Sequence, residues 1–146
     1  MNRIESSVLV PAPLAEVFAY ASDWQKWHEW FVGLSGTRPI TSVTMGNGAQ
    51  YAYKVRLMCF SAGVVTEIAD FVENVGWRGI GRKGMPHVAH WQFEASGNQT
   101  HFTYSLEYRV PVPVLGTLLD AAILKPQWIR ILNSSLANVK RHFEVS

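Results

Sequence analysis

The segment GIGRKGMPH, residues 79–87, places three glycines at the spacing of the dinucleotide-binding fingerprint G-x-G-x-x-G. That fingerprint functions between a strand and a helix, where a phosphate meets the helix N-terminus. Here the residues that follow, HVAHWQFE, alternate between apolar and polar in the manner of a strand. The sequence therefore predicts a hairpin connection between two antiparallel strands, with Arg82 and Lys83 exposed at its tip.

General acid–base chemistry requires a titratable side chain held inside a pocket. The candidates are His87, Asp70 and Tyr104. His87 begins a strand on the same face as Trp91, whereas the face of Asp70 is left open because ADFVEN is compatible with a bulge. Most other charged residues of the strands fall on the polar face. This shortage of inward acids and bases favours binding over catalysis.

Metal and nucleophile chemistry find little support in the sequence. His87 and His90 form H-x-x-H, but residues three apart on a strand lie on opposite faces, so one ion cannot take both. The single cysteine, Cys59, excludes an intrachain disulfide and is read as a small core residue. No G-x-S-x-G elbow occurs. We expect no metal and no cofactor.

The elements that would position these residues follow from the hydrophobic pattern. A strand at 3–10 precedes a helix that buries Leu14, Val17, Phe18 and Ala21, and Ser22 or Asp23 caps a second short helix. Beyond a weakly patterned stretch at 37–45 the strands alternate, with turns expected at Gly46–Gly48, Gly63, 83–86 and Gly97. An apolar stripe from Val114 to Phe143 predicts one long helix, kinked or divided at Pro126.

These elements indicate an α+β fold in one domain, residues 1–146. Strands with one apolar and one polar face are typical of an antiparallel sheet that is wet on one side. The long C-terminal helix must cover the apolar face. We therefore predict a curved antiparallel sheet of about six to seven strands, wrapped around that helix, with two short helices after the first strand.

The order of these segments is similar to that of the START and polyketide-cyclase-like (SRPBCC) superfamily. VPAPLAEVFAYASDWQKWHEW resembles the opening of that family, GNQTHFTYSLEYRVPVP its last strand, and ILNSSLANVKRHFE its closing helix. The resemblance covers nearly the whole chain and implies the helix-grip fold with an internal cavity. Members carry lipids and sterols, bind hormones or ubiquinone, cyclise polyketides, or modulate chaperones, so the fold alone does not select a function.

The strand pattern and the resemblance together predict a pocket for a small lipid, isoprenoid or aromatic polyketide-like ligand. The alternative is a polyketide cyclase or aromatase, with His87 or a pocket tyrosine as acid or base; a filled core is also open. The residues expected to touch the ligand are Trp27, Tyr51, Tyr53, Leu57, Trp77, His87, Trp91, Phe93, Tyr104, Tyr108, Leu119 and Trp128.

The composition and charge of the chain exclude some classes of binding partner. Of its 146 residues 48% are hydrophobic and 16% charged, and the formal net charge is only +2, which argues against nucleic acid. No signal-peptide pattern and no stretch of about 20 apolar residues is present, so we expect a cytoplasmic protein without stable membrane insertion. Segment 110–124 is read as the start of the packed helix, with a membrane-touching lid as the alternative. A homodimer is left open.

Overall fold

The computed structural model describes residues 2–57, 60–109 and 123–144. Cys59 lies outside the described residues, as does segment 110–124, the predicted start of the long helix with a lid as the alternative, except for its last two residues. Within them, Leu57 is described in its backbone alone.

The seven strands are β1 Asn2–Val10, β2 Leu34–Pro39, β3 Gln50–Leu57, β4 Phe60–Val72, β5 Gly76–Lys83, β6 His87–Ser96 and β7 Gln99–Tyr108. They form one antiparallel sheet in the order β1-β7-β6-β5-β4-β3-β2. Every neighbouring pair in the sheet is consecutive in sequence except β1 and β7, which place the first and last strands side by side. The sheet is thus a curled half-barrel in which β2 to β7 follow one another as a meander.

Two short helices follow the first strand. Helix α1, Leu14–Ser22, buries Val17, Phe18 and Ala21, as its spacing predicts. The side chain of Asp23 then accepts a hydrogen bond from the backbone N–H of Gln25 and caps a 3₁₀ turn, Trp24–Lys26, which runs into helix α2, Trp27–Trp30. This confirms Asp23 as the cap between the two helices.

Helix α3, Lys125–Glu144, lies against the sheet along β1. Its buried residues recur every three or four positions and form one stripe: Trp128, Ile131, Leu132, Ser135, Leu136 and Val139. Ile123 and Leu124 form a π turn directly before Lys125, so the helical geometry changes next to Pro126, where a kink or division was predicted. Seven strands, two short helices and this long helix confirm the predicted helix-grip fold.

Two of the glycine positions that were expected to mark turns have different outcomes. Gly46 and Gly48 have φ values of +80° and +86° in the connection between β2 and β3, as predicted. Gly63, by contrast, lies inside β4 opposite Lys54, so the predicted turn at this position is wrong. A Cβ atom on Gly63 would meet nothing within 4 Å, so this strand position has room for a side chain. The requirement for glycine lies at Gly84, whose Cβ, if present, would come within 2.4 Å of the Gly63 carbonyl oxygen.

The bulge suspected in ADFVEN is present. The register between β4 and β5 shifts between Ala69 and Val72, and Asp70 has φ +53°. The extra residue turns Phe71 inward, where its ring packs edge-on against Phe18 at a centroid distance of 5.7 Å. Asp70 itself faces solvent.

Candidate functional site

A cavity lies between the concave face of the sheet and helices α2 and α3. The volume open to the centre of a water molecule is about 50 Å³. This is about a third of the ~150 Å³ of a cavity that holds a benzene molecule, so a ring ligand enters only if the lining side chains move apart. The described lining residues are Trp27, Phe31, Leu34, Tyr53, Val55, Ala62, Val64, Thr66, Ile68, Trp77, Gly79, Met85, His87, Ala89, Trp91, Tyr104, Leu106 and Trp128.

A row of aromatic side chains crosses three strands and forms one wall of the cavity. Trp77 on β5 is paired with Trp91 on β6, and Trp91 with Tyr104 on β7. The two indole rings stack with centroids 4.5 Å apart, and Tyr104 meets Trp91 edge-on at 5.0 Å. Cross-strand aromatic pairs of this kind each add ~0.5–1.5 kcal/mol beyond the area they bury. The wall is therefore apolar and firmly packed.

A directed chain of hydrogen bonds forms the polar part of the lining. Nδ1 of His87 lies 2.8 Å from the Met85 carbonyl oxygen, and because a carbonyl only accepts, Nδ1 carries the hydrogen. In the neutral ring Nε2 is then an acceptor, and the Thr66 hydroxyl, 3.0 Å away, donates to it. Since the Thr66 hydrogen is used, the Tyr53 hydroxyl donates to Thr66 Oγ1 over 2.8 Å.

Burial sets the protonation of these groups. It lowers the pKa of the His87 ring below the ordinary value of 6.5, an effect that the hydrogen bond to the Met85 carbonyl opposes. It raises the pKa of Tyr53, and it raises the pKa of Tyr104 well above 10.0, with the neighbouring Tyr53 adding to that shift. At neutral pH the site therefore holds an uncharged imidazole and two protonated phenols.

Two of the three glycines of GIGRKGMPH, Gly79 and Gly81, make room for this polar chain. A Cβ on Gly79 would lie 2.9 Å from Cγ2 of Thr66, and one on Gly81 would lie 2.6 Å from Nδ1 of His87. Gly84 has φ +86° in the turn between β5 and β6. Gly79 and Gly81 lie within β5, so the turn occupies 84–86. Arg82 and Lys83 are exposed, as predicted, and no helix follows, so the segment has no dinucleotide-binding architecture.

Two indole N–H groups of the lining have no acceptor within the described part of the chain. Nε1 of Trp77 and Nε1 of Trp128 are buried and without a hydrogen-bond partner. The third lining tryptophan differs, because Nε1 of Trp27 donates to the Ala21 carbonyl oxygen at 2.8 Å. Both nitrogen atoms are also inaccessible to a water molecule, and a buried donor left unpaired costs ~1–3 kcal/mol, so these two groups lower the stability of the fold.

The structure brings together seven of the twelve residues expected to touch a ligand: Trp27, Tyr53, Trp77, His87, Trp91, Tyr104 and Trp128. Tyr51 lines a smaller adjoining hollow and donates to the Thr44 carbonyl oxygen. Phe93 is packed against Phe18 and Phe102, and Tyr108 against Trp128, away from the cavity lining. Leu119 and the side chain of Leu57 lie outside the described residues.

Asp70 lies apart from this site. Its side chain is 68% exposed and forms an ion pair with Arg78 on the outer face of the sheet. Of the three acid–base candidates, His87 and Tyr104 line the cavity and Asp70 does not. The sequence reading missed Thr66 and Met85. The inward position of Thr66 could have been predicted, because Val64 and Ile68 lie two residues to either side of it on the same face of β4. The sequence reading left the face of this strand open because of the bulge at Asp70.

Within residues 2–57, 60–109 and 123–144, no group of three or more His, Cys, Asp or Glu side chains could hold a metal ion. No helix in the same ranges is long and apolar enough to cross a membrane.

Solved structures with the same architecture are numerous. The protein TTHA0849 from Thermus thermophilus superimposes with a TM-score of 0.85 at 16% identity, covering 99% of this chain and 98% of that one. A START superfamily protein from Mycobacterium smegmatis gives 0.79 at 17% identity, covering 98% and 97%. The Aha1 dimer from Colwellia psychrerythraea gives 0.62 at 14% identity, covering 99% and 98%. These identities establish a shared fold.

The curled sheet, the long helix and the enclosed cavity define a START-like helix-grip protein. Residues 1–144 match the family described as polyketide cyclase / dehydrase and lipid transport, and the chain belongs to that family. No curated protein matches the sequence.

Proposed function

We propose that the protein binds a small hydrophobic ligand in the cavity between the sheet and α3. The observation that carries this proposal is an apolar, aromatic-walled void with a few polar groups on its lining. Sites for small molecules typically combine these two properties, because apolar walls supply affinity and a few polar groups fix orientation. Because the void of about 50 Å³ is smaller than the ~150 Å³ that holds benzene, a molecule of one or two rings needs a smaller movement of the lining than a sterol does.

Ala89 offers a direct way to close this void. It lies on β6 between Gly79 on β5 and Leu106 on β7, and all three line the cavity. An Ala89→Leu substitution places three further carbons in the void, where they fill space that a ligand would occupy. Ala95→Leu adds the same atoms to an exposed position of the same strand and is the matched control.

The test combines native mass spectrometry of protein purified without detergent with thermal shifts. The probes are naphthalene, a naphthoquinone, a fatty acid and a sterol. We expect a retained ligand, or a rise in melting temperature with the ring probes, for the wild type and Ala95→Leu, and a loss of both for Ala89→Leu. Absence of any retained ligand and of any shift in the wild type would contradict the proposal, as would unchanged binding by Ala89→Leu.

A polyketide-cyclase-type reaction is the second candidate, favoured by the chain from Tyr53 through Thr66 to His87. In such a reaction the Tyr53 hydroxyl takes a proton from the substrate and releases its own hydrogen to Thr66 Oγ1. The Thr66 hydroxyl in turn releases its hydrogen to Nε2 of His87. The lowered pKa of His87 makes this ring a weak acceptor and opposes that role. Incubation with an aromatic polyketide analogue separates the two functions, since a binding protein returns it with unchanged mass and chromatographic retention.

A further inference from the structure

We infer that the ligand enters and leaves the cavity through a surface groove between α1 and the connection from β2 to β3, and that Met45 is the gate of this entrance. This inference rests on the proposed binding function and adds the route of exchange to it. Some part of the wall must move, because the cavity of about 50 Å³ is smaller than the ~150 Å³ that holds a benzene molecule.

The cavity is the innermost of three neighbouring voids that lead to the surface. A hollow of about 10 Å³ adjoins the cavity, and the groove adjoins the hollow. Residues that line two voids at once form the partitions between them. The cavity and the hollow share Trp27, Ile68 and Trp77, whereas the hollow and the groove share Ser22, Met45, Gly46 and Phe71. Two thin layers of residues thus separate the cavity from solvent on this side.

Met45 is the most exposed member of the outer partition. Its exposed fraction is 49%, whereas Ser22 is buried and Phe71 packs edge-on against Phe18. A methionine side chain is unbranched and has three rotatable bonds, so it changes conformation at low cost. Met45 lines the hollow and the groove but is not among the described residues that line the cavity. Its displacement therefore opens the hollow to solvent and leaves the cavity wall unchanged.

The connection that carries this gate is attached to the sheet at few points. Among the described residues, two hydrogen bonds join residues 42–47 to other elements. The Tyr51 hydroxyl donates to the Thr44 carbonyl oxygen, and the Asn47 side chain accepts a hydrogen bond from the backbone N–H of Phe71 at 2.8 Å. Segments with exposed backbone and few anchoring contacts open locally at low free energy. The connection is thus able to open while the strands stay paired.

A gate that contacts neither the ligand nor the cavity wall controls rates and not affinity. The ligand passes only while the gate is open, so the association and dissociation rate constants both scale with the open fraction. A looser gate raises both by the same factor and leaves Kd unchanged. A change in the cavity wall, in contrast, acts mainly on the dissociation rate constant and so changes Kd.

Stopped-flow quenching of tryptophan fluorescence by 2,3-dimethyl-1,4-naphthoquinone measures both rate constants. Both quinone positions that a thiol attacks carry methyl groups, so this probe does not modify the single cysteine. Tyr51→Phe removes the bond to Thr44 and should raise both rate constants about twofold to tenfold, as the loss of one hydrogen bond from the closed state allows. Met45→Ala removes the gate side chain and should raise both by at least about threefold, with Kd within about twofold of the wild type.

Two control variants locate the entrance. Tyr20→Phe also removes a hydrogen-bonded phenol, here one bonded to Glu29, but Tyr20 lines none of the three voids, so both rate constants should stay at the wild-type values. Met85→Ala makes the same change as Met45→Ala in the turn between β5 and β6, at the opposite end of the strands. Because Met85 lines the cavity, this variant should change Kd.

The outcomes separate the entrance from the binding function. Absence of saturable quenching in the wild type would contradict the proposed function, and the entrance with it. Saturable quenching with wild-type rate constants in either Met45→Ala or Tyr51→Phe would leave the binding function intact and overturn the entrance. An equal rise of both rate constants in Met85→Ala or in Tyr20→Phe would overturn it as well.

Discussion

Gly81 and His87 are packed so closely that no side chain fits between them. A Cβ atom on Gly81 would lie 2.6 Å from Nδ1 and 2.8 Å from Cε1 of the His87 ring. The ring cannot yield without stretching its bonds to Met85 and Thr66. The glycine spacing of residues 79–84 resembles that of a phosphate-binding loop, but in this fold Gly81 provides the space for the buried imidazole of His87.

The first prediction follows from that packing. Gly81→Ala should lower the free energy of unfolding by ~1–3 kcal/mol, the usual range for overpacking a filled site. Gly63→Ala is the matched control on the neighbouring strand, because a Cβ there meets nothing within 4 Å. Urea unfolding measures both. Equal effects of the two substitutions would contradict a specific clash with His87.

The second prediction concerns Asp70. Its side chain lies on the outer face of the sheet in an exposed ion pair with Arg78, and its φ of +53° is one that Asn also adopts readily. Asp70→Asn should therefore leave the affinity for the naphthoquinone probe within about twofold of the wild type, as for other surface changes. Calorimetry provides the check. A loss of binding would place Asp70 in the site after all.

The third prediction concerns the seating of α3. Ser135 is fully buried, and its Oγ accepts a hydrogen bond from the backbone N–H of Val32 at 2.9 Å, joining α3 to the end of α2. Ser135→Ala leaves that N–H unpaired and should lower the free energy of unfolding by ~1–3 kcal/mol. The exposed neighbour Ser134 supplies the control, and Ser134→Ala should have little effect in the same denaturation experiment. Similar losses for both would argue against the bond.

Much of the fold is readable from the sequence because two periods dominate it. Apolar residues at every second position predict a strand with one buried face. The pattern occurs in β7, where its four members are all buried: Phe102, Tyr104, Leu106 and Tyr108. Likewise, apolar residues every three or four positions in α3 predict a helix that is covered on one side. Such patterns are local, so no knowledge of the partner surface is needed.

The remainder depends on contacts between distant segments. Gly63 is typical of a turn in the sequence, and only the pairing of β4 with β3, which places it opposite Lys54, shows that it lies inside a strand. The role of Thr66 depends on the pairing of β4 with β5, which a bulge shifts, and on His87 lying 21 residues later in the chain. Unpaired indole donors are likewise invisible in sequence, since they are defined by what surrounds them.

The last prediction is a pH dependence of stability that arises from His87. Its side chain is buried and its pKa in the folded protein lies below the ordinary value of 6.5, whereas the unfolded chain titrates near that value. As the pH falls through 6.5, the unfolded chain therefore takes up a proton that the folded protein refuses, and unfolding becomes more favourable. The contribution is fully present above pH 6.5 and is lost below it, at a rate of at most ~1.4 kcal/mol per pH unit for one proton.

His87→Gln removes this titration and should flatten the fall in unfolding free energy between pH 7.5 and pH 5.5. The slope is compared rather than the absolute stability, because the substitution also disturbs the bonds to Thr66 and Met85. His101→Gln is the matched control, since His101 is exposed on β7, and this variant should keep the wild-type slope. Urea unfolding at several pH values measures all three proteins. A wild-type slope in His87→Gln would mean that the buried ring takes up its proton as readily as the unfolded chain does.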